Sequence, residues 1–400
     1  MMFKIKRILF CLVLFACLLN TGMARAITSA EADQIDATAS LDSLDLLLTP
    51  AVTAETGDIS YRAKVVKILE SDIVMLDGRA QEYQKLELKI LNGDEKGKYV
   101  TIDHGKDFVI GVFQKVRLGE TVILSKPSHT QGQRDIYYIT DRYRAPNLIF
   151  ITLIFFALAI YFGRKRGLTS VIGMIFTIFV IFYYIIPHII KGADPLWTCV
   201  IGGVIIILLS LYLSHGFNKR TSIALVSSLL CLVLAVVVDL IFVYTAKLAG
   251  NGTEEAFYLQ FGTFNFNLKG LLLGSIIIGV LGVLDDVTTG QAAAIEEIYT
   301  ANSSLSFQQL YKSGLSVGRE HIASLINTLF LAYVGASFPL LLLYNTQKTQ
   351  SLWVTLNSNF IAEEIVRTLV GSTVLVVAVP LTTLLAALYY SRKRRNLPVS

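Results

Sequence analysis

The stretch Gly279–Leu343 reads GVLGVLDDVTTGQAAAIEEIYT, then ANSSLSFQQLYKSGLSVGREHIASL, then INTLFLAYVGASFPLLLL, and the rest of the chain is read outward from it. A glycine-rich apolar segment runs into Asp285 and Asp286, and Glu296, Glu297, Arg319, Glu320, His321 and Asn327 follow before hydrophobic sequence resumes. Carboxylates are costly in hydrocarbon, so a membrane helix that ends in two of them sets them against protein, water or a cation. If the helix continues, Asp285, Thr289, Ala293 and Glu296 fall on one face. Ser306 and Gln309 then have the spacing of a capping box. Phe307, Leu310, Tyr311, Gly314, Leu315, Gly318 and Ile322 share one face of the helix that follows, which is expected to lie along a membrane surface. That helix leads into the next span with Glu320, Ser324 and Asn327 on a polar face.

The composition around this stretch is that of a membrane protein: 54% of the 400 residues are apolar and the mean hydropathy is +0.59. Charge is dense up to Arg144 and sparse from Asn147 to Tyr390, which places a boundary near Pro146. Seven apolar segments follow: Asn147–Phe162, Leu168–Ile186, Pro195–Leu213, Ile223–Ala249, Leu268–Leu284, Ile322–Tyr344 and Val366–Tyr390. Each is near the ~20 residues that a helix needs to cross the hydrocarbon core. The clusters Arg164-Lys165-Arg166, Lys219-Arg220 and Arg392–Arg395 end alternate segments, so the positive-inside rule puts them and the C-terminus in the cytoplasm. The net charge of +5 is therefore read as membrane flanking and not as a nucleic-acid surface.

Before the boundary, Lys4, Lys6 and Arg7 precede a short apolar run ending in Ala24-Arg25-Ala26, the pattern of a signal peptide over residues 1–26, with an uncleaved anchor as the alternative. Residues 27–58 read as a flexible arm. From Tyr61 the period becomes two. Five short strands, Tyr61–Leu69, Tyr83–Leu91, Tyr99–Asp103, Lys115–Leu124 and Asp135–Thr140, suggest a small exported β-barrel of OB or SH3-like type over residues 59–144. Val65, Ile68, Leu86, Leu88, Val116, Val122 and Leu124 are its expected core. Residues 145–391 form the helical domain and 392–400 a basic cytoplasmic tail. With Cys11 and Cys17 inside the signal segment, the exported domain has no disulfide.

The segments GVLGVLDDVTTGQAAAIEEI and SGLSVGREHIASLINTLFLAYVGASFPLLLL resemble the YibE/F family of bacterial multi-pass membrane proteins. The resemblance implies a signal, a small β domain, seven spans and a plasma-membrane location, and leaves open which of Asp285 and Asp286 corresponds to the family's acidic position. It implies an architecture and no biochemical activity.

The candidate site residues are Asp239, Asp285, Asp286, Glu296, Glu320, His321 and Asn327. Asp285, Asp286, Glu296, Glu297, Glu320 and His321 could converge on a cation or relay protons, or form an interfacial cluster neutralised by Arg319 or Lys312. Asp239 lies deeper in its segment, either as a functional group or as a packed carboxyl, protonated or paired with Lys247. Glu363, Glu364 and Arg367 have the spacing of a helical ion pair. Asp239 and Asp285 are expected about 15 Å apart along the membrane normal, too far for an aspartyl-protease dyad. No Ser-His-Asp, Walker or Rossmann pattern occurs, so neither a cofactor nor an enzymatic activity is expected. The expected function is that of a permease or permease component for an ion or small solute. The alternative is a membrane scaffold whose exported β domain binds a partner protein.

Overall fold

The computed structural model describes residues 59–76, 79–106, 114–127, 136–261, 266–346 and 351–395; the signal segment, the arm and the last tail residues lie outside them. The chain divides into two compact units, Met1–Pro146 and Asn147–Ser400.

The first unit is a five-stranded antiparallel sheet of β1 (Ile59–Leu76), β2 (Arg79–Ile90), β3 (Tyr99–His104), β4 (Thr121–Lys126) and β5 (Tyr138–Arg142), in the order β3-β2-β1-β4-β5. Alternation directs Tyr61, Ala63, Val65, Leu86, Leu88, Ile90, Val100, Ile102, Val122 and Leu124 into one core, joined by Val116 from a loop. Six of the seven expected core residues are buried, and Ile68 packs partly buried against them. Alternation in β1 breaks at two adjacent apolar pairs, Val65-Val66 and Ile68-Leu69. Register shifts fall between Val65 and Lys67 and between Ile68 and Glu70, leaving Val66 and Leu69 exposed. Such bulges bend and twist a strand. The expected strand Lys115–Leu124 begins only at Thr121, because the Gln84 side chain takes up the Val116 backbone, accepting from its N–H at 2.8 Å and donating to its C=O at 3.0 Å. Gly119, at φ +84°, then turns the chain into β4. The edge strands β3 and β5 approach one another without pairing, so among the described residues the sheet is open, whereas the sequence suggests a closed or nearly closed barrel.

The second unit is helical: α1 (Ala145–Val180), α2 (Ile186–Ile190), α3 (Pro195–His215), α4 (Lys219–Thr245), α5 (Glu254–Phe261), α6 (Leu268–Ala301), α7 (Phe307–Ala336), α8 (Phe338–Thr346), α9 (Leu352–Leu356) and α10 (Asn359–Arg395). Among the described residues, five helical stretches are long and apolar enough to cross a membrane: Ala145–Ile190, Pro195–His215, Lys219–Thr245, Leu268–Ala301 and Asn359–Arg392. This differs from the seven expected segments in two places. The first two lie in one 46-residue stretch, broken at Arg164, whose φ of 53° and ψ of −130° are not helical. A Cβ on Gly167 would strike the Ala159 carbonyl. Residues eight apart in a straight helix are separated by about 12 Å, so the chain folds back here. The expected segment Ile322–Tyr344 falls on α7 and α8, where Arg319, Glu320, His321 and Asn327 dilute the hydrophobicity.

α6 is the hub, packed against α3, α4, α7 and α10. Its fully buried Ile277, Leu284 and Ile295 join Leu211, Ala235, Val370 and Val374 in one core. Gly270 and Gly274 lie against Pro195 and Cys199 of α3, a close approach that larger residues would prevent. α7 opens with the expected capping box, the Ser306 hydroxyl accepting from the Gln309 N–H at 3.3 Å and the Gln309 amide oxygen from the Ser306 N–H at 2.9 Å. Its apolar face does not stand apart from the bundle: Leu310 is fully buried, Gly314 meets Ile295 and Thr383, and Gly318 meets Val379 and Gln291.

Candidate functional site

Among the described residues of the helical unit, two carboxylates stand out for enclosed oxygens that lack a hydrogen bond. Asp285 follows the apolar run of α6, where the helix continues without interruption to Ala301. Its Oδ2 accepts a 2.8 Å hydrogen bond from the Ser210 hydroxyl of α3, and its backbone C=O accepts one from Thr289 at 2.8 Å. Its Oδ1 is buried with no hydrogen-bond partner. Ser210 and Ser214 lie beside Gly173 of α1, so the carboxylate sits where three helices meet. Asp286, one residue round the helix, is exposed, whereas the next turn is fixed by Thr288, whose hydroxyl lies 2.8 Å from that of Ser228 on α4.

Asp239 belongs to α4 and is 0% exposed, yet neither of its oxygens has a hydrogen-bond partner. Lys247, one candidate partner, is exposed at φ 55° in the turn after the helix. The cation within electrostatic reach is instead Arg367 of α10. Arg367 Nε stands 3.5 Å from Glu364 Oε2, one turn earlier, and is itself buried without a hydrogen bond. The adjacent Glu363 takes no part in that pair, because it accepts from the Gly252 N–H at 2.9 Å and so ties α10 to the turn after α4. Tyr333 of α7 completes the neighbourhood. A Cβ on Gly279 would lie 3.6 Å from its hydroxyl and one on Gly371 3.8 Å, so the hydroxyl occupies a notch that two glycines leave open.

The other predicted site residues do not join these two. Glu296 is an interhelical tie, 3.5 Å from Arg220 of α4 and accepting from the Tyr390 hydroxyl of α10 at 2.9 Å. Glu320, His321 and Asn327 lie on the exposed face of α7, with the His321 ring beside Gly290. Among the described residues no group of three or more His, Cys, Asp or Glu could hold a metal ion, so the six acidic and imidazole side chains are not gathered into one such group. Sequence reasoning missed Ser210, Arg220, Tyr333 and Gln291. Gln291 is 1% exposed and donates at 2.8 Å to both the Gly314 carbonyl and the Thr383 hydroxyl. The available signal was a polar residue inside an apolar helical face, as at Ser210 within IIILLSLYL.

A bundle of long apolar helices around buried carboxylates, together with a separate antiparallel sheet, defines a multi-pass membrane protein. The chain belongs to the YibE/F-like protein family, whose sequence pattern matches residues 151–392. No curated protein and no solved structure matches it.

Proposed function

We propose that the protein is a permease, or the membrane component of one, that moves an ion or small solute by means of intramembrane carboxylates. The observation that carries this reading is that Asp239, fully buried, and Asp285, partly buried, leave three of their four carboxylate oxygens enclosed without a hydrogen-bond partner. An ionised carboxylate left unpaired in a low-dielectric interior costs several kcal/mol, which a fold tolerates where a mobile charge occupies the position. In this reading the chain crosses a bacterial plasma membrane seven times. The fold-back at Arg164 supports two crossings within Ala145–Ile190, and α7 with α8 supplies a further one. The β unit is then extracytoplasmic and the C-terminus cytoplasmic. The strand order β3-β2-β1-β4-β5, with β3 and β5 approaching, supports an OB-type reading of the sheet.

Purified protein in liposomes, assayed for proton- or cation-driven flux across a panel of solutes, tests the reading. Asp285→Asn keeps shape and hydrogen-bonding capacity while removing the charge. Flux in the parent that falls at least about tenfold in Asp285→Asn, a barrier change of about 1.4 kcal/mol, supports it. Unchanged activity in that variant, with function lost on altering the β-unit surface, supports a scaffold instead.

A further inference from the structure

The charged group that acts on Asp239 is Arg367, which also faces Glu364. Around Arg367, α10 contributes Glu363 and Glu364 and α7 contributes Tyr333. Glu363 is engaged with the Gly252 backbone, so one guanidinium serves both Glu364 and Asp239. Arg367 leans toward Glu364 at 3.5 Å, and Asp239 is left with both oxygens unbonded. The arrangement lacks one positive charge.

A metal cation is a poor candidate for the missing charge. Hard cations require several oxygen ligands, and here a guanidinium is the neighbour while no acid or imidazole cluster is present among the described residues. A proton needs a single oxygen. Asp239 lies six residues from the end of α4 and Arg367 eight from the start of α10, about 9 and 12 Å along their axes. The helices pack together, and the two groups are within electrostatic reach of one another.

We infer that Asp239 is a proton-binding site read by Arg367. With Asp239 protonated, Arg367 pairs with Glu364, the arrangement seen here; when Asp239 releases the proton, its carboxylate and the guanidinium attract and Arg367 turns across to α4. The balance is one proton: the trio Asp239, Glu364 and Arg367 changes from net −1 to net 0 on uptake, with no other bond made or broken. The Tyr333 hydroxyl, in the notch at Gly279 and Gly371, is the polar group on the α7 side of this exchange. The inference deepens the permease reading and rests on it for the purpose of the proton, while the binding itself is measurable without any flux.

The test is infrared difference spectroscopy of the full-length protein in lipid nanodiscs, stepped between acid and alkaline pH in H2O and D2O. The parent is expected to give a protonated-carboxyl band that shifts in D2O, changes with pH, disappears in Asp239→Asn and survives in Asp285→Asn. In Arg367→Gln the band is expected to lose its response to pH, because the charge that competes with the proton is gone. If Asp239→Asn does not accumulate, Asp239→Glu is expected to move the band. A parent without the band, a band that stays constant as pH varies, or one unmoved in Asp239→Glu overturns the proton site. A band that behaves as expected in a protein whose liposome flux is indifferent to Asp239→Asn upholds the proton site and overturns the permease reading.

Discussion

The β unit and the helical unit treat their carboxylates in opposite ways. Glu95, in the turn after β2, accepts from Lys126 at 2.7 Å, Tyr137 at 2.5 Å and Lys98 at 2.9 Å. It is partly exposed, so water could have served in place of some of these donors. Asp239 is fully enclosed, where an unmet polar group costs most, and has no hydrogen bond. Folding therefore satisfied the group that needed it least and left open the one that needed it most. The contrast separates polar residues that build the structure from those that use it, and it makes substitutions in the two regions fail in different assays.

The largest expected loss of stability is in the β unit. Leu88→Ala, at a fully buried core position, should cost about 2–5 kcal/mol in denaturant unfolding of residues 57–144. That segment is expected to fold alone, without disulfides, and a disordered spectrum would remove the contrast between the units. A second substitution probes a tied polar residue inside the bundle. Gln291→Ala removes two 2.8 Å hydrogen bonds and leaves a void between α6, α7 and α10, so a loss of about 2–3 kcal/mol in thermal unfolding in detergent is expected. Asp239→Asn has no hydrogen bond to lose, and its expected change in the same assay is within about 1 kcal/mol. Equal losses for the two would show that bonded and unbonded polar groups cannot be told apart by role.

The smallest effect concerns acid. The ammonium of Lys126 and the Tyr137 hydroxyl, with Lys98, hold the Glu95 carboxyl at about 2, below its ordinary 4.5. The folded state thus binds this proton less readily than the unfolded chain does. Its contribution to stability is present above about pH 4.5 and is lost as pH falls toward 2. Glu95→Gln should lower stability at neutral pH by about 1 kcal/mol and flatten the acid limb of the unfolding midpoint against pH. An unchanged acid limb would show that the three donors do not act on this group.

Much of this was legible in the sequence, for identifiable reasons. Period-two alternation located the β core because one face of the sheet is buried, and it faltered at Val65-Val66 and Ile68-Leu69, where bulges interrupt the period. The capping box at Ser306 is a local pattern and was readable as such, whereas α6 runs on past the expected span Leu268–Leu284 to Ala301. Asp239 and Asp285 were conspicuous because they interrupt hydrophobic sequence. Their surroundings were not readable. Ser210 lies 75 residues from Asp285, and only the approach of α3 to α6 through Gly270 and Gly274 joins them. Arg367 read as the partner of both neighbouring glutamates because helical spacing allows it. The turn at Gly252, which claims Glu363, is 111 residues away.

The central claim, that the unbonded carboxylates serve transport and not the fold, is tested most directly by one measurement on Asp239→Asn. The variant and the parent are reconstituted into liposomes at equal protein content, and internal pH is followed after an imposed proton gradient. Parent-dependent proton movement that falls at least about tenfold in the variant, with an unfolding midpoint close to the parent's, is the expected result. A well-folded variant that moves protons at the parent's rate would contradict the account.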